Sequence, residues 1–98
     1  MIRFRPAAAR ELAEDVRYYN AQYTGRGDRF AAAVERTLTA IAESPFTYTL
    51  LYEPDIRSAK VPRFPYRVVY VVVGGDVDVV AVARAKRRAA YWRRRPKE

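Results

Sequence analysis

The stretch "YRVVYVVVGGDVDVVAVA", residues 66–83, consists of two valine-rich runs on either side of Gly74-Gly75. Valine is stiff at χ1 and packs well on a pleated surface, while paired glycines admit the positive φ angles that a two-residue hairpin turn demands. The stretch therefore predicts a tight antiparallel hairpin. Apolar side chains occupy consecutive positions here, interrupted only by Arg67, Asp76 and Asp78, which is the pattern of strands buried on both faces. Whatever else the chain builds has to cover two sides of this hairpin.

Upstream, residues 56–64 read as a weaker, charge-studded strand that Pro62 confines to an edge or a bulge. Residues 46–55 show no clear period and read as a loop. Further back, Ala8, Leu12, Val16, Tyr19 and Tyr23 recur at spacings of three and four with Arg10, Glu11, Glu14 and Arg17 between them, the stripe of an amphipathic helix over residues 6–23. "TGRGD" at 24–28 breaks that stripe. A second one, Phe30, Val34, Leu38 and Ile41, runs to Pro45. "IRF" at 2–4 is a short first strand stopped before Pro6.

The expected order is strand, helix, helix, then three strands: one α+β domain over residues 1–98, β-α-α-β-β-β, with a short basic C-terminal segment. Two helices can cover only one face of a four-stranded sheet. The other face must be covered by the C-terminal segment folding back, by a partner protein or by a second copy, since large apolar patches are rarely left to water.

Composition narrows the chemistry. The 98 residues contain no His and no Cys, so disulfides, thiol or imidazole catalysis and a conventional zinc site are all excluded, and no cofactor or metal is expected. The net charge of +8 is uneven: residues 84–98 hold eight Lys/Arg against Glu98, a balance of +7, whereas residues 1–83 hold eleven against ten, a balance of +1. Such a concentration of positive charge attracts nucleic acid or an acidic protein surface. The first ten residues lack the apolar core of a signal peptide, and the apolar run at 68–73 is far shorter than a bilayer requires, so a cytoplasmic chain with no membrane partner is expected.

Taken together, Tyr18-Tyr19, "RGDRF" at 26–30, "IAESP" at 41–45, "RFPYRVVY" at 63–70 and "YWRRR" at 91–95 resemble the RelE/ParE superfamily, the toxin halves of bacterial type II toxin-antitoxin modules, some associated with plasmid stabilisation. The resemblance implies the fold derived above and a cognate antitoxin that neutralises the chain, as a hetero-oligomer or around a dimer. It implies one of two activities on a shared fold: RelE-like, metal-independent cleavage of messenger RNA at the ribosome, or ParE-like, non-enzymatic inhibition of DNA gyrase. A non-toxic nucleic-acid-binding module is a third reading, supported by the basic tail alone. Many relatives carry a histidine where this chain has Arg84 and a proline where it has Ala90, so an imidazole mechanism is out of reach.

Cutting RNA through its own 2′-hydroxyl needs a base, an acid and cations for the charge that grows on phosphate. Arginine cannot serve as the base, so Arg67 and Arg84 would only stabilise charge. Lys60, Lys86 and Tyr91 are left as proton carriers. The resemblance makes Arg67, Arg84, Tyr91 and Lys60 the catalytic candidates, and the neighbouring basic surface, Arg57, Arg63, Lys86, Arg87 and Trp92, the candidate target-binding set. Arg67 and Tyr91 tip the expectation slightly to RelE-like cleavage, with gyrase inhibition as the alternative, although the want of a well-placed base opposes it. Structural roles compete for several of these residues: core packing for Tyr66, Tyr70 and Trp92, edge protection for Arg57 and Arg63, and a cross-hairpin pair with Asp78 for Arg67.

Overall fold

The computed structural model describes residues 1–85 and Trp92. In chain order the elements are β1 (Ile2–Phe4), α1 (Pro6–Gln22), α2 (Arg26–Glu43), β2 (Thr49–Tyr52), β3 (Ile56–Lys60), β4 (Tyr66–Val73) and β5 (Asp76–Arg84). They form one five-stranded sheet in the order β1-β5-β4-β3-β2 with the two helices packed on one face. The predicted α+β class and the helix hairpin are present. The sheet has one strand more than expected, because the 46–55 segment read as a loop contains β2. Its residues, "TLLY", are exposed or half-buried throughout, so they carry no one-sided apolar period to be recognised.

β1 lies parallel to β5 and all other pairs are antiparallel. The three-residue β1 is held against β5 by charge as well as by its ladder. The terminal amine lies 3.1 Å and Arg3 2.9 Å from Asp76, and Arg5 3.1 Å from Asp78. Beyond β1, Glu11 of α1 accepts a hydrogen bond from the Val82 amide, so the helix side chain continues where the short strand stops.

The helix-facing core joins Phe30, Val34, Leu38 and Ile41 of α2 and Ala8 and Tyr19 of α1 to Val68, Tyr70, Val77, Val79 and Val82 of the sheet. Leu12 and Val16 pack against it, as their spacing predicts. At its centre four rings interlock: Phe30 lies 5.3 Å from Tyr19, 5.1 Å from Phe64 and 4.6 Å from Tyr66, all tilted or edge-on, the arrangement that aromatic quadrupoles favour. On the opposite face Val69, Val71, Val80, Ala81 and Ala83 are buried beneath Trp92, with Tyr52 and Ile56 beside them. Of the covers considered for that face, Trp92 supplies one. Trp92 is only 4% exposed and meets Tyr52 edge-on at 5.9 Å.

The helices approach each other closely at Gly27. A β-carbon there would stand 2.1 Å from the Val16 carbonyl oxygen, which is backbone and cannot move aside. The bare Gly27 amide also donates to Asn20 Oδ1 at 2.8 Å, joining α2 to α1. Alanine would gain up to about 1 kcal/mol of helix propensity, but overpacking of this kind costs about 1–3 kcal/mol and the hydrogen bond is lost besides. Gly27→Ala is therefore expected to be destabilising on balance, with thermal unfolding several degrees lower. An unchanged or higher Tm would show that the hairpin can open without loss.

Candidate target-binding surface

The face that Arg84 occupies depends on one irregularity in β5. Across β4, Val69 pairs with Ala81 and Tyr70 with Val79, so Val80 is the extra residue of a β-bulge. A one-residue insertion reverses the faces of everything beyond it. Val77 and Val79 face the helices; by simple alternation Ala81 and Ala83 would follow them and Arg84 would point to the other side. With the bulge, Val80, Ala81 and Ala83 belong to the Trp92 face and Val82 to the helix face. Arg84 accordingly turns to the helices.

There its Nε donates to the Tyr66 hydroxyl at 2.9 Å, its guanidinium lies 5.2 Å from the Tyr18 ring centre, and Nη2 is 4.0 Å from Asp15 of α1. Burial pushes the Tyr66 phenol well above its ordinary value, with Arg84 opposing, so this hydroxyl holds its proton. The group is an arginine anchored by rings and a carboxylate.

Arg67 lies on the other face. It donates to the Ser58 hydroxyl at 3.1 Å, and its cross-strand neighbours are Lys60 and Ala83. Asp78, the partner expected for it, stands opposite Val71 farther along the hairpin and pairs with Arg5. Arg57 faces the helices at the far side of the sheet, donating to the Tyr48 carbonyl at 2.8 Å with its guanidinium 5.6 Å from the Phe46 ring centre. The surface expected to gather Arg57, Lys60, Arg67 and Arg84 is thus split: Lys60 and Arg67 share the Trp92 face, while Arg57 and Arg84 are separated on the helix face.

Trp92, considered as a target contact, is buried as cover for the sheet; Tyr66 and Tyr70, at 2% and 0% exposure, are core residues. Lys86, Arg87 and Tyr91 lie outside the described residues. Arg63 sits in the β3–β4 turn with a positive φ of 69°, unusual for a residue with a β-carbon. It lines a cleft of about 650 Å³ with Arg26, Arg29 and Arg36 of α2. The reading of the sequence missed these three helix arginines. Their signal was the 26, 29, 36 spacing along one ridge of a helix.

The Asp15 carboxyl is raised above its ordinary value by burial, with Arg84 and Tyr66 pulling the other way. A carboxyl raised in the folded state favours folding while protonated, and that contribution is lost as pH climbs from the unfolded value of 3.8 through the higher folded one. Asp15→Asn is therefore expected to raise the Tm at pH 7, and the gain should vanish below about pH 3.8. A lower Tm at pH 7 would mean that pairing with Arg84 outweighs burial.

Comparison with known proteins agrees with this architecture. A family model described as ParE toxin of type II toxin-antitoxin system, parDE, matches residues 2–89. The chromosomal ParDE system of P. aeruginosa superposes with a TM-score of 0.76 at 14% identity, covering 87% of this chain and 95% of that one. The intact E. coli RelBE toxin-antitoxin complex gives 0.63 at 25% identity, covering 89% and 98%. A free-state mutant of E. coli toxin RelE gives 0.67 at 23% identity, covering 88% and 83%. No curated protein is a significant match in sequence.

Proposed function

Because the chain belongs to the ParE family of type II toxin-antitoxin toxins, we propose that it arrests growth by occupying DNA gyrase, as the resemblance implies for ParE-like members, and that it does not cut messenger RNA. The observation that carries this reading is the division of the cations between the two faces of the sheet. A nuclease needs charge stabilisers and a proton carrier around one phosphate, within about 3 Å of the reacting atoms. Among the described residues Arg84 is committed to Tyr66, Tyr18 and Asp15. The position beside Arg67 on its own face, where a second arginine would complete a phosphate clamp, is Ala83.

Binding to a protein asks less of the site: a stable surface with charge at its rim, which a folded basic domain provides without convergent catalytic groups. In the cell a cognate antitoxin would hold the chain inactive, and the site of action would be the cytoplasm. The alternative, RelE-like cleavage, draws on one specific feature, the direct cross-strand pairing of Lys60 with Arg67, to which Tyr91 and Lys86 would have to be added.

No helix among the described residues is long and apolar enough to cross a membrane. The two readings separate in a direct comparison. Purified chain added to gyrase is expected to inhibit supercoiling and trap cleaved DNA, while mRNA on programmed ribosomes stays intact. Loss of a proton-transfer group lowers cleavage by about 10²–10⁴-fold, whereas loss of one cation from a binding rim weakens binding by less than about tenfold. Lys60→Ala is therefore expected to leave most of the growth inhibition in place. Cut mRNA, abolished by Lys60→Ala in a protein that still folds, would reverse the assignment to RelE-like.

A further inference from the structure

The cleft beside α2 gathers four arginines, one of them, Arg26, with its guanidinium 5.0 Å from the Tyr19 ring centre. Arg26, Arg29 and Arg36 project from one ridge of the helix, and Arg63 reaches in from the β3–β4 turn. The ion pairs found among the described residues involve the terminal amine, Arg3, Arg5 and Arg84, and none of these four. Ala32 and Ala33 form the floor, while Tyr23, 68% exposed, and Phe64 add apolar surface. Four like charges around one concavity repel one another, and an arriving set of carboxylates would relieve that repulsion.

The cleft does not end at Arg36. A second hollow of about 480 Å³ shares Ala32 and Arg36 with it and continues along α2 past Thr39 and Ala40, flanked by Glu35 and Glu43. From Arg26 to Glu43 the cleft and this hollow, which is lined by α2 alone, together form a shallow groove along about 25 Å of helix at 1.5 Å per residue. One half is basic and the other acidic, over a floor of small side chains that lets a second backbone come close.

We infer that this groove docks an acidic segment of a protein partner, its carboxylates over Arg26, Arg29, Arg36 and Arg63 and a neutral or basic continuation over Glu35 and Glu43. A nucleic-acid backbone fits less well, because its uniform negative charge would meet Glu35 and Glu43 after one half of the groove. Arginine favours the same choice, since its planar fork holds a carboxylate with two hydrogen bonds. The inference goes beyond the proposed target and stands whether or not that target is gyrase.

The test is fluorescence anisotropy with the full chain at near-physiological salt, using a labelled helical peptide of about 15 residues, acidic in one half and neutral in the other, long enough to span most of the groove. A single-stranded oligonucleotide of similar length is the second probe. Arg29→Glu with Arg36→Glu is compared with Arg10→Glu with Arg17→Glu, an exposed pair on α1 outside the groove that changes the net charge equally. The groove pair is expected to weaken peptide binding at least tenfold and the control pair less than threefold, with oligonucleotide binding affected alike by both. Equal peptide losses in the two variants would reduce the effect to net charge and overturn the proposal. Oligonucleotide binding lost selectively with the groove pair would assign the site to nucleic acid and overturn it too. Should charge reversal unfold the chain, Arg29→Gln with Arg36→Gln against Arg10→Gln with Arg17→Gln makes the same comparison.

Discussion

A hairpin with two apolar faces governs this molecule. β4 and β5 bury side chains in both directions, and neither strand can be solvated on either side without exposing a continuous valine surface. One cover comes from α1 and α2, whose stripes meet the sheet through Phe30, Val34, Leu38 and Ile41. The other includes Trp92, whose large ring lies over Val69, Val71 and Ala83. Burying each of these side chains contributes about 1.5–3 kcal/mol, so both covers are required in a domain this small. That requirement places Trp92 against the sheet, and it removes an aromatic residue from the surface that a target would touch.

The same hairpin decides which charges can act together. Arginine between valines is costly to bury, and each arginine here has found its own local settlement: Arg67 with Ser58, Arg84 with Tyr66 and Asp15, Arg57 with the Tyr48 carbonyl and the Phe46 ring. Such arrangements hold guanidinium groups firmly but on different sides of a sheet. A binding function tolerates this division. A phosphodiester-cleaving one is hindered by it, because its effectiveness depends on groups converging on a single reacting centre.

Much of the fold was legible from period alone. The two helical stripes and the short first strand declare themselves because each has one interior to face, and the hairpin because its valine runs, buried on both faces, flank Gly74-Gly75. β2 was not legible: Thr49, Leu50 and Leu51 lie exposed on an edge, so burial imposed no pattern on them. The orientation of Arg84 was hidden for a subtler reason. An uninterrupted valine run has no alternation to lose, so an extra residue at Val80 leaves no trace in composition while it reverses every side chain that follows. Arg84 was therefore turned to the face opposite Arg67 by a single backbone step.

The helix arginines show the complementary limit. On an amphipathic helix, Arg26, Arg29 and Arg36 look like a solvated face, and their spacing along one ridge does not by itself set them apart from Arg10 and Arg17 on α1. What sets them apart is tertiary: the β3–β4 turn carries Arg63 and Phe64 to the same side and encloses the space between. That turn is held by the β3–β4 pairing and by the place of Phe64 in the ring cluster with Tyr19 and Phe30. The aromatic centre of the core thus also fixes one wall of the basic groove. A change that loosened Phe64 would alter recognition there as well as stability, since the same ring serves both.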